Sequence, residues 1–337
     1  MAPFYGRAVL EWPLAFASLT IFGTAMFLLA ARGFSEMELQ SMVAAMLPAW
    51  RAMALAIVII SPLLLVSITS EMAAVSWPAA VPLVPQVMAQ THSGEVWRWS
   101  LPAGLLLLAV TIVPMTETAR TFLLAGLGGT LMLLEAMLSH AADRGVIAVL
   151  VYLVHEAAAA TWIGALLGFW MIARRAHASP AWTSRAVRLV STTAAWSVAA
   201  IVVSGCYTAY QGVGLSIDRL LFSSYGRTLL VKVAAFCAVL SIGAYNRERL
   251  LPDVTDANAQ RLLLRNVGIE SLLLGTLVLG LASLLANTPP ARGHMMSHPG
   301  MEMSLRRVNG PVGQPIESSS RRIVRAADER LTRTAGE

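Results

Sequence analysis

The sequence predicts an all-α fold: a polytopic transmembrane helical bundle of about eight spans, followed by a disordered C-terminal tail. Three observations predict it. The 337-residue chain is 56% hydrophobic and only 13% charged, whereas a soluble domain carries about a quarter charged residues. Its apolar residues gather into long runs, and a span needs about 20 mostly apolar residues. The basic residues collect in alternate links between those runs, as topology requires. In lipid each span must satisfy its own backbone hydrogen bonds, so the runs are read as helices.

The first run, 13–31, exceeds the apolar core of a signal peptide, follows Glu11 and has no small-residue cleavage site after it. The second, 52–74, carries Glu71 and Met72 near its end. The third, 101–115, is the shortest, bracketed by Pro102 and Pro114. The fourth, 121–141, contains Gly126, Gly128 and Gly129, and the fifth, 146–173, contains Gly164 and Gly168. Such small residues let membrane helices approach closely, and they are assigned to packing. The sixth, 186–211, and seventh, 228–245, hold Cys206 and Cys237. Two cysteines inside spans do not make a disulfide framework and behave as ordinary apolar helix residues. The eighth is 267–286. The chain therefore divides into N-terminal helices (1–118), a core (119–288) and a polar tail (289–337).

Orientation follows from charge. Arg32 and Arg51 lie between the first two runs, Arg174, Arg175, Arg185 and Arg188 around the fifth link, and Arg247, Arg249, Arg261 and Arg265 around the seventh. These links belong on the cytoplasmic side, which places both termini outside, in the periplasm of a bacterial inner membrane. The arginines of the distal tail, Arg306 to Arg333, run against this and count for less. With the charge of +6 spent on topology, no nucleic acid is expected as a partner; the partner is the lipid bilayer.

Ionisable residues inside a membrane are costly and mark function. The fourth and fifth runs, joined by a short polar link, hold Met132, Glu135, Met137, His140, His155, Glu156 and Trp162. In a regular hairpin His140 lies near the outer surface and His155 about 10 Å deeper. Two stations in series are expected: His140 with Met137 at the mouth, then His155 with Met132 or Glu135. Weak sequential sites suit a conduction path better than one tight cage. Alternatively, His155 simply hydrogen-bonds a neighbouring helix. Trp162, seven residues on, is assigned to packing; a cation–π role is the other reading. Lys232 and Glu270 are expected to pair between adjacent helices, as a structural tie or a proton-linked switch.

Beyond the last run comes HMMSHPGMEM, with His294, Met295, Met296, His298, Met301 and Met303. Imidazole and thioether are ligands that soft metals prefer, copper(I) above all. On the outer side this segment neighbours the loop containing Met88 and His92, as a capture site would. No enzyme motif is present, and no phosphate-binding loop to drive transport with ATP.

Several stretches resemble the CopD family of copper-resistance membrane proteins: residues 204–207 (Ser-Gly-x-Tyr), the YGRxLLxK run 225–232, Asn246-Arg247 before 250–252, the ANTPP ending 286–290, SHAA at 139–142 and HxxAAxxW-x-G at 155–164. The resemblance implies an eight-helix inner-membrane protein that moves periplasmic copper toward the cytoplasm, often beside a CopC-like periplasmic protein. It carries copper handling onto His140 and His155. Three departures stand out: Glu156 where an apolar residue is usual, a longer basic tail, and no CopC-like β-domain. Two other readings stay open, a b-type haem electron carrier using paired histidines and a copper-delivery assembly factor that does not transport.

Overall fold

The computed structural model describes residues 3–175, 180–253 and 256–291; the residues 294–303 that suggested a capture site lie outside them. Among the described residues there are helices and turns and no strand, and eight stretches of helix are long and apolar enough to cross a membrane. They are α1 (Pro3–Ala30), α2 (Glu36–Ala73), α3 (His92–Ile112), α4 (Glu117–Leu138), α5 (Val146–Arg175), α6 (Pro180–Val213), α7 (Ser224–Tyr245) and a last span built of α8 (Ala257–Leu273) and α9 (Leu279–Ala286) joined by a π-helical turn.

Most helix starts are fixed by side-chain caps that satisfy orphan backbone N–H groups. Ser35 and Glu38 form a capping box at α2, with the Ser35 N–H donating to Glu38 Oε2 at 2.7 Å. Thr91, Thr116, Ser223 and Asp256 accept from the first turns of α3, α4, α7 and α8. These caps explain why the helices outrun the apolar runs read from sequence. Helix α2 begins at Glu36 because the box starts it there, and the added turns bury Met42, Met46 and Trp50. Helix α3 begins at His92, so the third span is a full 21-residue helix with Pro102 inside it. Helix α4, by contrast, stops early, at Leu138.

Two helices form the axis of the bundle. Helix α1 packs against α2, α4, α5 and α9, and α5 packs against α1, α6 and α8. At their crossing Gly23 lies on Ala160 and Gly164 with no room for a Cβ on either glycine. Gly168 continues that face onto the Phe27 ring and Met46. In α4, Gly128 lies against the Phe22 backbone, while Gly126 meets nothing within 4 Å. Polar ties add to this packing: Trp50 Nε1 donates to Thr24 Oγ1 at 2.8 Å in the interior, and the half-buried Trp12 Nε1 donates to the Gly275 carbonyl at 2.8 Å, inside the π-helical turn Leu274–Val278. Arg7 pairs with Glu11 at 2.7 Å and with Glu71 at 3.6 Å, and Asn287 donates to Glu11. These contacts gather the start of α1, the end of α2 and the end of α9 at one end of the bundle, the end that also holds the α4–α5 turn.

Candidate functional site

The α4–α5 turn is tight. Ser139 Oγ donates to the Ala136 carbonyl at 2.7 Å and accepts from the Ala141 N–H at 3.2 Å, and Gly145, at φ +95°, reverses the chain into α5. Because α4 ends at Leu138, His140 stands in the turn, exposed, and does not share a helix face with Met137. What lies beside Met137 is His92, at the start of α3: its Nε2 is 3.3 Å from the Met137 carbonyl oxygen. Three potential soft-metal ligands, His92, Met137 and His140, thus gather at this end of the bundle. The loop-side histidine was visible in the sequence, but nothing local placed it there.

Deeper in, His155 turns toward α6. Its Nδ1 is 3.0 Å from Ser204 Oγ. The Ser204 hydroxyl proton is directed at the Ala200 carbonyl, 2.5 Å away, so Nδ1 carries a hydrogen and donates to Ser204. A neutral imidazole held this way keeps its lone pair on Nε2, the arrangement that metal-ligating histidines use. Gly205 faces the ring edge: a Cβ there would sit 3.4 Å from His155 Cε1. The adjacent Ser-Gly pair in the last third of α6 therefore has two tasks, one orienting the imidazole and the other leaving it space.

The second station expected from sequence is not assembled as drawn. Met132 is 1% exposed and packs with Leu19 and Ala160. Leu153, Ala157 and Ala160 form the α5 face that receives it, and His155 lies about 200° round the helix from Leu153. Glu135 instead accepts from Ser18 Oγ of α1 at 3.3 Å. Glu156 sits in the same seam, within electrostatic reach of Glu135, Tyr152 and Lys232, and its Oε2 has no hydrogen-bond partner among the described residues. Glu11 adds to the field at Glu135 and Tyr152. A run of ionisable groups therefore leads inward from the α4–α5 end: Glu11, Glu135, Tyr152, Glu156, Lys232, with His155 beside it. Tyr152, Glu11 and Ser18 were missed from sequence because four different helices, α1, α4, α5 and α7, supply the run.

Lys232 does not pair with Glu270. Lys232 lies in the field of His155 and Glu156, whereas Glu270 accepts from Asn246 Nδ2 at 3.4 Å and faces Gly243. Gly243 is about 16 Å further along α7 than Lys232, at 1.5 Å per residue, so antiparallel packing keeps the two charges apart. Trp162 is buried, packs edge-to-face on Phe236 at 5.8 Å and borders the Glu270 carboxyl. Cys206 and Cys237 are free thiols. Among the described residues no three His, Cys, Asp or Glu side chains converge into one metal cage. A bis-histidine haem needs two level imidazoles, and His155 and His140 are not level: one is inside the bundle, the other at the surface turn.

Comparison with known proteins gives a consistent answer. Residues 184–285 match the family model described as copper resistance protein D, and residues 3–149 match the copper resistance protein D-like N-terminal domain. The chain is 29% identical over 297 residues to copper resistance protein D of Pseudomonas syringae pv. tomato, covering 81% of this chain and 93% of that protein. It is 26% identical over 178 residues to the copper transport protein CutJ of Bacillus subtilis (strain 168), covering 48% of this chain and 31% of that protein. No solved structure matches.

Proposed function

The chain belongs to the copper resistance protein D family, and from that premise we propose that it is a copper permease of a bacterial inner membrane rather than an enzyme. Its cargo enters at the α4–α5 end and passes inward along the α4–α5–α6 seam. The observation that carries this reading is His155: an imidazole within the bundle whose Nδ1 is oriented by Ser204. It stands beside a run of carboxyl groups that begins near the surface. His92, Met137 and His140 form the mouth, and the tail residues His294, Met295, Met296, His298, Met301 and Met303, which lie outside the described residues, carry ligands of the same chemistry and are proposed as a capture segment. Imidazole, thioether and carboxylate together suit copper in either oxidation state. Because each station offers few ligands, an ion is held weakly enough to move on. The positive-inside rule puts this end in the periplasm, so the path runs toward the cytoplasm. A CopC-like periplasmic protein is the donor such a mouth would meet.

The test is cytoplasmic copper in cells lacking the protein, complemented at matched membrane expression. Wild type is expected to raise it, and His155→Ala to abolish the gain. His140→Ala with His92→Ala should lower uptake only at limiting external copper, because the mouth concentrates cargo without gating it. If wild type lowers cellular copper the direction is reversed, and if neither wild type nor any variant changes it the permease reading fails.

A further inference from the structure

At the other end of the bundle, away from every residue assigned to copper, a second polar device is built between α7 and α8. Glu270 is 3% exposed, Asn246 6% and Asn266 9%. They form a directed chain: Asn266 Nδ2 donates to Asn246 Oδ1 at 2.9 Å, and Asn246 Nδ2 donates to Glu270 Oε2 at 3.4 Å. The carboxyl is pressed against the α7 backbone, where a Cβ on Gly243 would stand 3.2 Å from Glu270 Oε1. Asn266 is also part of the wall of a cleft of about 370 Å³ lined by Ser241, Ile242, Tyr245, Asn266 and Ile269.

An ionised carboxylate in a membrane interior needs a cation or a dense set of donors. Glu270 has neither. It is faced from α5 by Trp162, from α7 by Gly243, and by Asn246 where α7 ends. The charged residues of the neighbouring segments, Arg247, Glu248, Arg249, Arg265 and Arg174, are exposed, and Lys232 lies far along α7 among other partners. A guanidinium at this place would lock the carboxyl ionised. Amide donors do not: an amide N–H bonds the oxygen of a carboxyl as well as that of a carboxylate, though the charged form more strongly, so the site holds either charge state. The amide oxygen that a metal ion would need on Asn246 is already taken by Asn266. Irregular backbone flanks the site on both sides. Asn246 opens the π-helical turn Asn246–Leu250, and Leu274–Val278 follows Glu270 by one turn. Single π turns are found mostly at functional sites.

We propose that Glu270, with Asn246 and Asn266, is a proton-binding site that exchanges with the Arg-rich end of the bundle through the cleft between α7 and α8. Gaining the proton removes a buried charge at the joint between the two helices; losing it restores one. That this proton is coupled to copper movement rests on the permease reading; the site itself does not.

The test uses the full chain reconstituted in liposomes without copper. An apolar carbodiimide, which reacts with protonated carboxyls, is applied from acid to alkaline pH, and modified peptides are mapped by mass spectrometry. Glu270 should be labelled at low pH and lose its label as pH rises. Glu270→Gln should remove the label from that peptide with helical content unchanged. Asn246→Ala, by deleting a donor to the charged form, should let labelling persist to higher pH. Labelling of Glu270 that ignores pH, is absent throughout, or is blocked by sodium at constant pH overturns the proposal. If labelling behaves as expected but cells show no copper response, the proton site stands and the permease reading falls.

Discussion

Ser204 is the residue on which the orientation of His155 turns. Its hydroxyl is committed to the Ala200 carbonyl, and only its lone pair remains for the imidazole N–H. Removing it leaves His155 in place but free to rotate and to change tautomer. Ser204→Ala should therefore cost about 1 kcal/mol of stability, the net worth of one such hydrogen bond. It should also lower copper uptake several-fold without abolishing it, since the ligand survives; uptake against external copper, beside a thermal melt in detergent, checks both. At Gly205 the space beside the ring is ordinary contact distance, 3.4 Å. Gly205→Ala should be tolerated where Gly205→Leu is not.

At the scale of elements, the α1–α5 crossing decides whether the seam forms. Gly23 and Gly164 meet backbone to backbone, and the relief open to a flexible side-chain neighbour is absent here. A side chain at either position forces the helices apart, and with them Leu19 of α1 from Ala160 of α5. Overpacking of this kind costs typically about 1–3 kcal/mol. Gly164→Val and Gly23→Val should each lower the melting temperature in detergent. Because the two act on one contact, the double variant should cost less than the sum. Gly126→Ala, which meets nothing within 4 Å, is the control expected to be neutral.

For the whole molecule, the even number of spans makes a prediction about sidedness. The start of α1 and the end of α9 meet through Glu11 and Asn287, so reporters fused before residue 3 and after residue 291 should report the same compartment. With the arginines of the α2, α6 and α8 approaches expected on the cytoplasmic side, that compartment should be the periplasm. Accessibility of single cysteines placed at His92 and Arg249, on opposite ends, provides an independent check: the two must label from opposite faces.

Much of this was legible in the chain itself. Its apolar runs are long because each must match a bilayer, so the all-α class, the eight spans and their order follow from composition and hydropathy alone. The motifs around His155, Ser204 and Tyr225 were enough to mark the family. Helix ends were less legible where caps and tertiary packing extend a helix past its apolar run, as at Glu36 and His92, or halt it, as at Leu138. That last stop is what separates His140 from Met137. Which polar side chains meet was decided only by the tertiary structure. Depth along a helix can be counted from sequence, but the direction a side chain takes depends on how neighbouring helices are rotated. Helix α5 is rotated so that Met132 packs on its Leu153–Ala160 face and His155 turns to Ser204, and the antiparallel stagger of α7 on α8 gives Glu270 to Asn246 and leaves Lys232 to the seam. Periodicity fixes the faces of one helix; only packing, through close contacts such as Gly23 on Gly164, says which faces confront each other.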